Sequence, residues 1–245
     1  MIENVLPSPL LGFFYHLDLW YFVFVGPPLL LGMFAQWRVT STFKSMSRIG
    51  ARMSGAEAAR RMLDSGGLHS VGIERVQGHL SDHYDPRAKV LRLSPEVFGG
   101  RSMAALGVAC HEAGHAFQDA KGYLPLVIRN AAVPAANFGS GIGAGMAMIG
   151  LILSYQSPLI GKSLLLLGII LFSGVVFFQV VNLPVEFNAS ARARQHLVDA
   201  RLIAPNEEHY VAKVLNAAAL TYVAGTLQTI MTLAYYIFRY MDNRD

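Results

Sequence analysis

Of 245 residues, 53% are hydrophobic and only 15% are charged, and mean hydropathy is +0.38. This balance excludes an ordinary soluble domain, which carries about 25% charged residues. The net charge of +4 comes without a basic run interleaved with aromatics, so no nucleic-acid partner is expected.

The first predicted element is an apolar segment from about Leu19 to Gln36, with Leu10 as an alternative start. A transmembrane helix needs about 20 mainly apolar residues, so this segment can span a bilayer. Met1 to Trp37 holds no Lys or Arg, and no small-residue cleavage site precedes Gln36-Trp37-Arg38. A retained anchor is therefore expected rather than a signal peptide.

A hydrophilic stretch follows. Ser54-Gly55-Ala56-Glu57 has the form of a capping box and opens a helix that Gly66-Gly67 stops after about Asp64. Val71 to Val76 is a short strand candidate. Gly78 to Ser94 reads as a hairpin, with a turn at Asp85-Pro86-Arg87-Ala88 and a second arm over Lys89 to Ser94. A strand just ahead of the next helix could offer an edge to an extended peptide.

That next helix carries the chemistry. Ser102 is a plausible N-cap and Gly122 a plausible stop for a helix over Met103 to Asp119. Within it stands His111-Glu112-Ala113-Gly114-His115, the pattern H-E-x-x-H. Helical positions four apart share a face, with Cβ atoms about 5–6 Å apart. Two such imidazoles can ligate one zinc ion, while Glu112, one step round, lies beside the metal as a general base. Gly114 costs the helix about 1 kcal/mol against Ala, and in return leaves a bare patch where another segment can approach. Cys110, the single cysteine, forbids an internal disulfide, fits a reducing compartment, and faces about 100° away from His111. Packing is its expected role, with ligation the alternative.

Three further apolar segments follow, at about Val133–Leu153, Leu159–Leu183 and Val214–Phe238. The last is diluted by Thr221, Thr226, Gln228, Thr229 and Thr232, so a buried soluble helix is its alternative reading. Of the 20 basic residues, 13 lie between Trp37 and Asn130, four between Pro184 and Lys213, and one, Lys162, in the loop between spans two and three. Four spans put both basic stretches on one side, which the positive-inside rule makes cytoplasmic. The chain thus divides into an N-terminal anchor (1–37), a cytoplasmic region with hairpin and metal helix (38–130), a two-span hairpin (131–183), a cytoplasmic helix (184–213) and a fourth span with a short tail (214–245).

A catalytic zinc site needs a third protein ligand. The adjacent option fails, because Gln118 and Lys121 stand where Gly and His would be required, and spans two to four hold no Asp or Glu. Glu186 is the favoured candidate. It follows the third span on the side that carries His111 and His115, Pro184 suits the start of a new helix there, and small Ala189 and Ser190 would let that helix pack closely. Asn188 or Ser190 could bond the free nitrogen of a ligand histidine. Asp119 and His196 remain alternatives to Glu186 as ligand. His209, Tyr210, Tyr222, Arg192 and Arg194 are candidate oxyanion donors, and His83 is expected to serve the hairpin turn.

Several stretches together resemble the YugP-like neutral zinc metallopeptidases, a family of bacterial membrane proteins. They are Ser41-Thr42-Phe43, Gly78-His79-Leu80-Ser81-Asp82-His83-Tyr84-Asp85-Pro86, Val90-Leu91-Arg92-Leu93-Ser94, Gly107 to Ala116, Asn182 to Ser190 and Val214 to Tyr222. The resemblance implies a multi-pass protein of the bacterial inner membrane with one zinc ion per chain, a cytoplasmic active site and a peptide or membrane-protein substrate. Cys110 stands where Ala is expected, and Ser190 stands where zinc peptidases with a distal Glu ligand often carry Asp.

The expectation is a mainly α, multi-pass membrane protein with a zincin-like helix and a small β hairpin. Its activity would be zinc-dependent peptide hydrolysis, with metal ligands His111, His115 and Glu186 and Glu112 as base. Two other classes compete. A zinc-binding scaffold or chaperone-like protein would not need Glu112, and a di-iron oxidase would need a second Glu-x-x-His, of which there is one.

Overall fold

The computed structural model describes residues 19–79 and 81–242. The alternative start at Leu10, His16, Leu80 of the first hairpin arm, and Arg244 and Asp245 of the tail lie outside them. In chain order the elements are α1 (Leu19–Met46), α2 (Gly55–Ser65), β1 (Gly72–Arg75), β2 (His83–Asp85), β3 (Val90–Leu93), α3 (Pro95–Phe98), α4 (Met103–Ala120) and α5 (Leu124–Phe138). A five-residue π-helix (Gly139–Gly143) joins α5 to α6 (Ala144–Leu153); then come α7 (Pro158–Asp199), a 3₁₀ turn (Pro205–Glu207) and α8 (Glu208–Asp242). The protein is mostly helical, and four of these stretches are long and apolar enough to cross a membrane: α1, Leu124–Leu153, α7 and Pro205–Asp242.

The chain forms two compact units. One comprises residues up to Gly32, Ala132–Gln179 and Ala224 onward; the other comprises Met33–Ala131 and Val180–Val223. The first is a set of apolar helices. Leu30, Ile149, Leu159, Ile170 and Ile237 point outward from it, which suits lipid and not water. Helix pairing here rests on close backbone approach. A Cβ on Gly168 would sit 2.4 Å from the Ala147 nitrogen, and one on Gly150 would sit 2.4 Å from the Leu165 nitrogen. Such approach is how helices associate where lipid removes the hydrophobic drive. At the far ends, Trp20 packs on Phe238 (ring centroids 5.3 Å) and Tyr21 on Tyr235 (5.3 Å), while Arg239 donates to the Tyr155 hydroxyl. The start of α1, the loop after α6 and the end of α8 therefore meet at one end of this unit. The threonines that dilute α8 cost it little. Thr221, Thr229 and Thr232 donate to carbonyls of their own helix at Ala218, Thr226 and Gln228, at 2.6, 2.9 and 2.7 Å.

The second unit has a conventional core: Met62, Leu63, Leu93, Val97, Leu106, Leu197 and Val211 are fully enclosed. Ser54 accepts from the Glu57 nitrogen at 3.2 Å and Glu57 reaches back to the Ser54 nitrogen at 2.7 Å, so the capping box expected from the sequence forms. Asp85 accepts from the nitrogens of Arg87 (2.9 Å) and Ala88 (3.0 Å), which fixes the hairpin turn. The hairpin is part of a larger sheet. β1 pairs in parallel with β3, Gly72 opposite Val90 and Arg75 opposite Leu93, giving the order β1-β3-β2. Ser102 caps α4 by accepting from the Ala105 nitrogen at 3.2 Å, and Gly122 leaves the helix at φ +60°.

Pro184 was expected to begin a new helix, but it lies inside α7, which runs unbroken from Pro158 to Asp199. Interior proline costs about 3 kcal/mol. Val185, Ala189, Ala193 and Leu197, all fully buried, recur on one face beyond it. Burial of a Val or Leu side chain is worth about 1.5–3 kcal/mol, so the packing of this face offsets the proline.

The glycine contacts give a direct test. Gly168→Ala should lower the thermal unfolding midpoint in detergent, because the new methyl meets backbone that cannot move aside. Gly145→Ala, where nothing lies within 4 Å of the added carbon, should leave it unchanged or raise it. Equal midpoints for the two variants would show that close helix approach does not hold this unit together.

Candidate metal centre

The site is built on α4, whose face carries His111, Glu112 and His115 into the core of the second unit. All three are buried, as is Glu186 on α7. Contact between the two helices depends on small residues. A Cβ on Gly114 would lie 2.7 Å from the Ala189 carbonyl oxygen and 3.1 Å from the Ala189 Cα. The bare patch between the histidines is thus filled by the backbone of α7. With Ala189 seated there, Glu186, one turn earlier, faces the histidine pair.

Glu186 Oε2 lies 3.2 Å from His111 Nε2 and 3.5 Å from His115 Nε2. The two rings are edge-on with centroids 4.8 Å apart. One ligand atom from each of the three residues falls within 4.8 Å of the others. Ligands about 2.0–2.1 Å from a tetrahedral zinc are about 3.3 Å from one another, so the donor set fits that ion. Among the described residues this is the one group of three His, Cys, Asp or Glu with such geometry.

Both imidazoles are held from behind. Ser190 Oγ is 3.1 Å from His111 Nδ1, the contact expected for Ser190. His115 Nδ1 is 3.0 Å from Gln118 Oε1, which sequence reasoning missed. The Gln118 amide nitrogen donates to the Val185 carbonyl at 2.7 Å and to Asn188 Oδ1 at 3.1 Å. Facing two carbonyl oxygens, that end must be the NH₂, so Oε1 accepts and His115 carries its proton on Nδ1. Nε2 is then left with a lone pair toward the shared point. Of the two candidates for bonding a ligand histidine, Ser190 is the one in contact, and Asn188 is not. Asn188 acts one step back, accepting from Gln118 and from Arg192 Nε at 2.7 Å. The signal for Gln118 was available: three residues after His115, it falls on the same helical face.

Electrostatics follow from burial. Burial pushes the Glu112 carboxyl above the usual carboxylate range, against the opposing pull of the His111 and His115 rings. For His115, burial disfavours the charged form, but the carboxylates of Glu186 and Glu112 outweigh it and raise its pKa. A cavity of about 330 Å³ opens onto His111 and Glu112. Its walls include Gln36, Val39 and Phe43 of α1, Ala218, Thr221 and Tyr222 of α8, and Asp82. The Tyr222 side chain also lies near enough to Glu186 to interact with its carboxylate. Asp82 carried no signal in the sequence. It accepts from the Ser94 nitrogen (2.7 Å) and hydroxyl (3.0 Å), which locks the end of β3 beside the cavity.

The alternative ligands lie elsewhere. Asp119 is tied to the sheet by the Tyr84 hydroxyl (2.6 Å) and Lys89 Nζ (2.5 Å). His196 stacks on Phe117 with centroids 4.9 Å apart. Cys110 is buried, and burial pushes its thiol up to about 12, which suits packing and not ligation. His83 bonds the Ser81 carbonyl at 2.8 Å, within the approach to the hairpin turn.

Residues 21–241 match the family described as "Putative neutral zinc metallopeptidase". The chain is 47% identical over 217 residues to the "Putative membrane protease YugP" of Bacillus subtilis (strain 168), covering 88% of this chain and 94% of that protein. No solved structure matches it.

Two substitutions test the construction. Gly114→Ala should weaken zinc binding although alanine is the better helix former, because the methyl wedges α7 away from α4. Gln118→Leu should cost about 10–100-fold in zinc affinity, the usual loss when a ligand's outer partner is removed. Competition against a chelator on the purified chain measures both, and wild-type affinity in either variant would contradict the arrangement.

Proposed function

The chain belongs to this zinc metallopeptidase family, and from that premise we propose that it is a membrane-embedded, zinc-dependent endopeptidase. Convergence of His111, His115 and Glu186 beneath a cavity that also exposes Glu112 is the observation that carries the proposal. A bound zinc ion supplies Lewis acidity, lowering the pKa of a water molecule and polarising the scissile carbonyl. Glu112 takes the proton from the attacking water and delivers it to the leaving amine. Gln118 keeps the His115 imidazole in the tautomer that leaves Nε2 free, and Ser190 holds the His111 ring at its Nδ1. The rival reading, a zinc-binding scaffold, gives no role to a buried carboxylate beside the ligands and facing a cavity.

The cavity would receive a segment of a peptide or of a membrane protein. Its lining is mostly apolar and holds no Lys or Arg. The relative's name, a membrane protease, supports the same class of substrate. We place the protein in the bacterial cytoplasmic membrane with four crossings and the site on the cytoplasmic face. The support is the distribution of basic residues, with Arg38, Lys44, Arg48, Lys121 and Arg129 close to the span ends.

Glu112→Gln should abolish peptide hydrolysis while the purified protein keeps its zinc, whereas Glu186→Ala should lose both. Metal analysis beside a peptide-cleavage assay separates the roles; zinc lost from Glu112→Gln, or activity retained by it, would refute the assignment. For orientation, a reporter fused near Gly66 or Ala200 should read cytoplasmic and one inserted at Gln156 external. The reversed pattern would move the site and its substrates to the other side of the membrane.

A further inference from the structure

Hydrolysis at this site builds negative charge on the carbonyl oxygen, and a donor beyond the metal should meet it. Glu112 cannot be that donor, since it begins the step as a base. The sequence left five candidates, and the fold engages four of them away from the cavity. Arg192 is bonded to Asn188, Arg194 is paired with Glu208, His209 is bonded to the Asn206 carbonyl at 2.7 Å, and the Tyr210 ring lies under Lys213 at 5.8 Å. None of the four lines the cavity that exposes Glu112. The cavity's own polar groups narrow the choice further. Asp82 is an acceptor already held by Ser94, and the Thr221 hydroxyl donates to the Ala218 carbonyl at 2.6 Å. Gln36 is exposed, at the solvent side of the lining.

Tyr222 differs from all of these. It is half-buried, lines the cavity together with His111 and Glu112, and its side chain interacts with the Glu186 carboxylate. Oε2 of that carboxylate is in turn 3.2 Å from His111 Nε2, so the phenol stands at the edge of the donor set. We propose that Tyr222 is a catalytic residue: its phenol hydroxyl donates a hydrogen bond to the oxygen of the scissile carbonyl as negative charge develops there. This inference rests on the peptidase reading. The hydroxyl keeps its proton throughout and shares it as a hydrogen bond with the developing oxyanion. No bond to the tyrosine forms or breaks. Because Tyr222 and Ala218 stand one helical turn apart on α8, the substrate's carbonyl would be presented toward α8 and its attacked face toward Glu112.

The test is Tyr222→Phe in the full chain, purified in detergent and loaded with zinc, which removes the hydroxyl and keeps the ring. A quenched-fluorescent casein-derived peptide reports turnover. A phosphinic peptide of the same sequence, which carries a tetrahedral anion in place of the scissile amide, reports binding without turnover. Zinc content should be unchanged, kcat should fall by about 10²–10³-fold with little change in KM, and phosphinic-peptide affinity should fall by the same factor as kcat/KM. Loss of zinc from the variant, or a kcat loss without the matching loss of phosphinic-peptide affinity, would make Tyr222 a support for Glu186 and overturn the proposal. Unchanged kcat would overturn it as well, with the peptidase reading intact. A wild-type chain that holds zinc yet cleaves nothing would bring down the peptidase reading and this inference with it.

Discussion

One contact governs the site: the meeting of α4 and α7 at Gly114 and Ala189. A side chain larger than hydrogen at 114 would overlap the backbone of α7. With hydrogen there, the two helices come close enough for Glu186 to approach both imidazoles at 3.2 and 3.5 Å. The glycine costs about 1 kcal/mol of helix propensity. That cost is small beside the desolvation of a buried carboxylate and two buried imidazoles, which is tolerable only when they are paired or hold a cation. Close packing thus does two things. It assembles the donor set, and it keeps water from solvating the charges that the set must share.

The outer ring of hydrogen bonds is neutral on both sides. Ser190 supports His111, and Gln118 supports His115. Neither adds the negative charge that an aspartate at position 190 would bring. Were a zinc ion held there, Glu186 would be the one carboxylate among its proposed ligands, and the smaller negative charge would favour a more acidic water on the ion. Gln118 also fastens the two helices together, because its amide spans from His115 on α4 to the Val185 carbonyl and Asn188 on α7. Arg192 extends the chain of hydrogen bonds by one more residue. Orientation of the ligand and cohesion of the helix pair therefore depend on the same side chain.

The helices of the first unit follow a different rule. Where lipid is the solvent, apolar side chains outside and satisfied backbone inside are both required, and helices meet through small residues. Gly150 and Gly168 provide the close approach, Thr229 and Thr232 spend their hydroxyls on their own helix, and Thr226 donates to the Gln179 carbonyl of α7. The same economy explains why Pro184 does not break α7. A proline that would end an isolated helix is carried along when the turns beyond it bury Val185, Ala189, Ala193 and Leu197.

Local information was readable directly from the residues. The caps at Ser54 and Ser102, the turn at Asp85, the apolar lengths of the four candidate spans and the i, i+4 spacing of His111 and His115 depend on neighbours a few positions away. The sequence carries those neighbours explicitly. The parallel pairing of β1 with β3, the path of α7 through Pro184, and the place of Asp82 and Tyr222 around the site were not readable in this way. Each depends on a partner distant in the chain, and no periodicity records which distant segment will arrive. Glu186 stands between these cases: its charge and the small residues after it were visible, while its 71-residue separation from His115 (186 − 115) leaves the contact to the tertiary fold. The sequence by itself determined which residue types were available to hold a metal. Only the packing of α7 against α4 decided which of them share a point in space, because that outcome depends on steric fit between two helices and not on the order of residues within either.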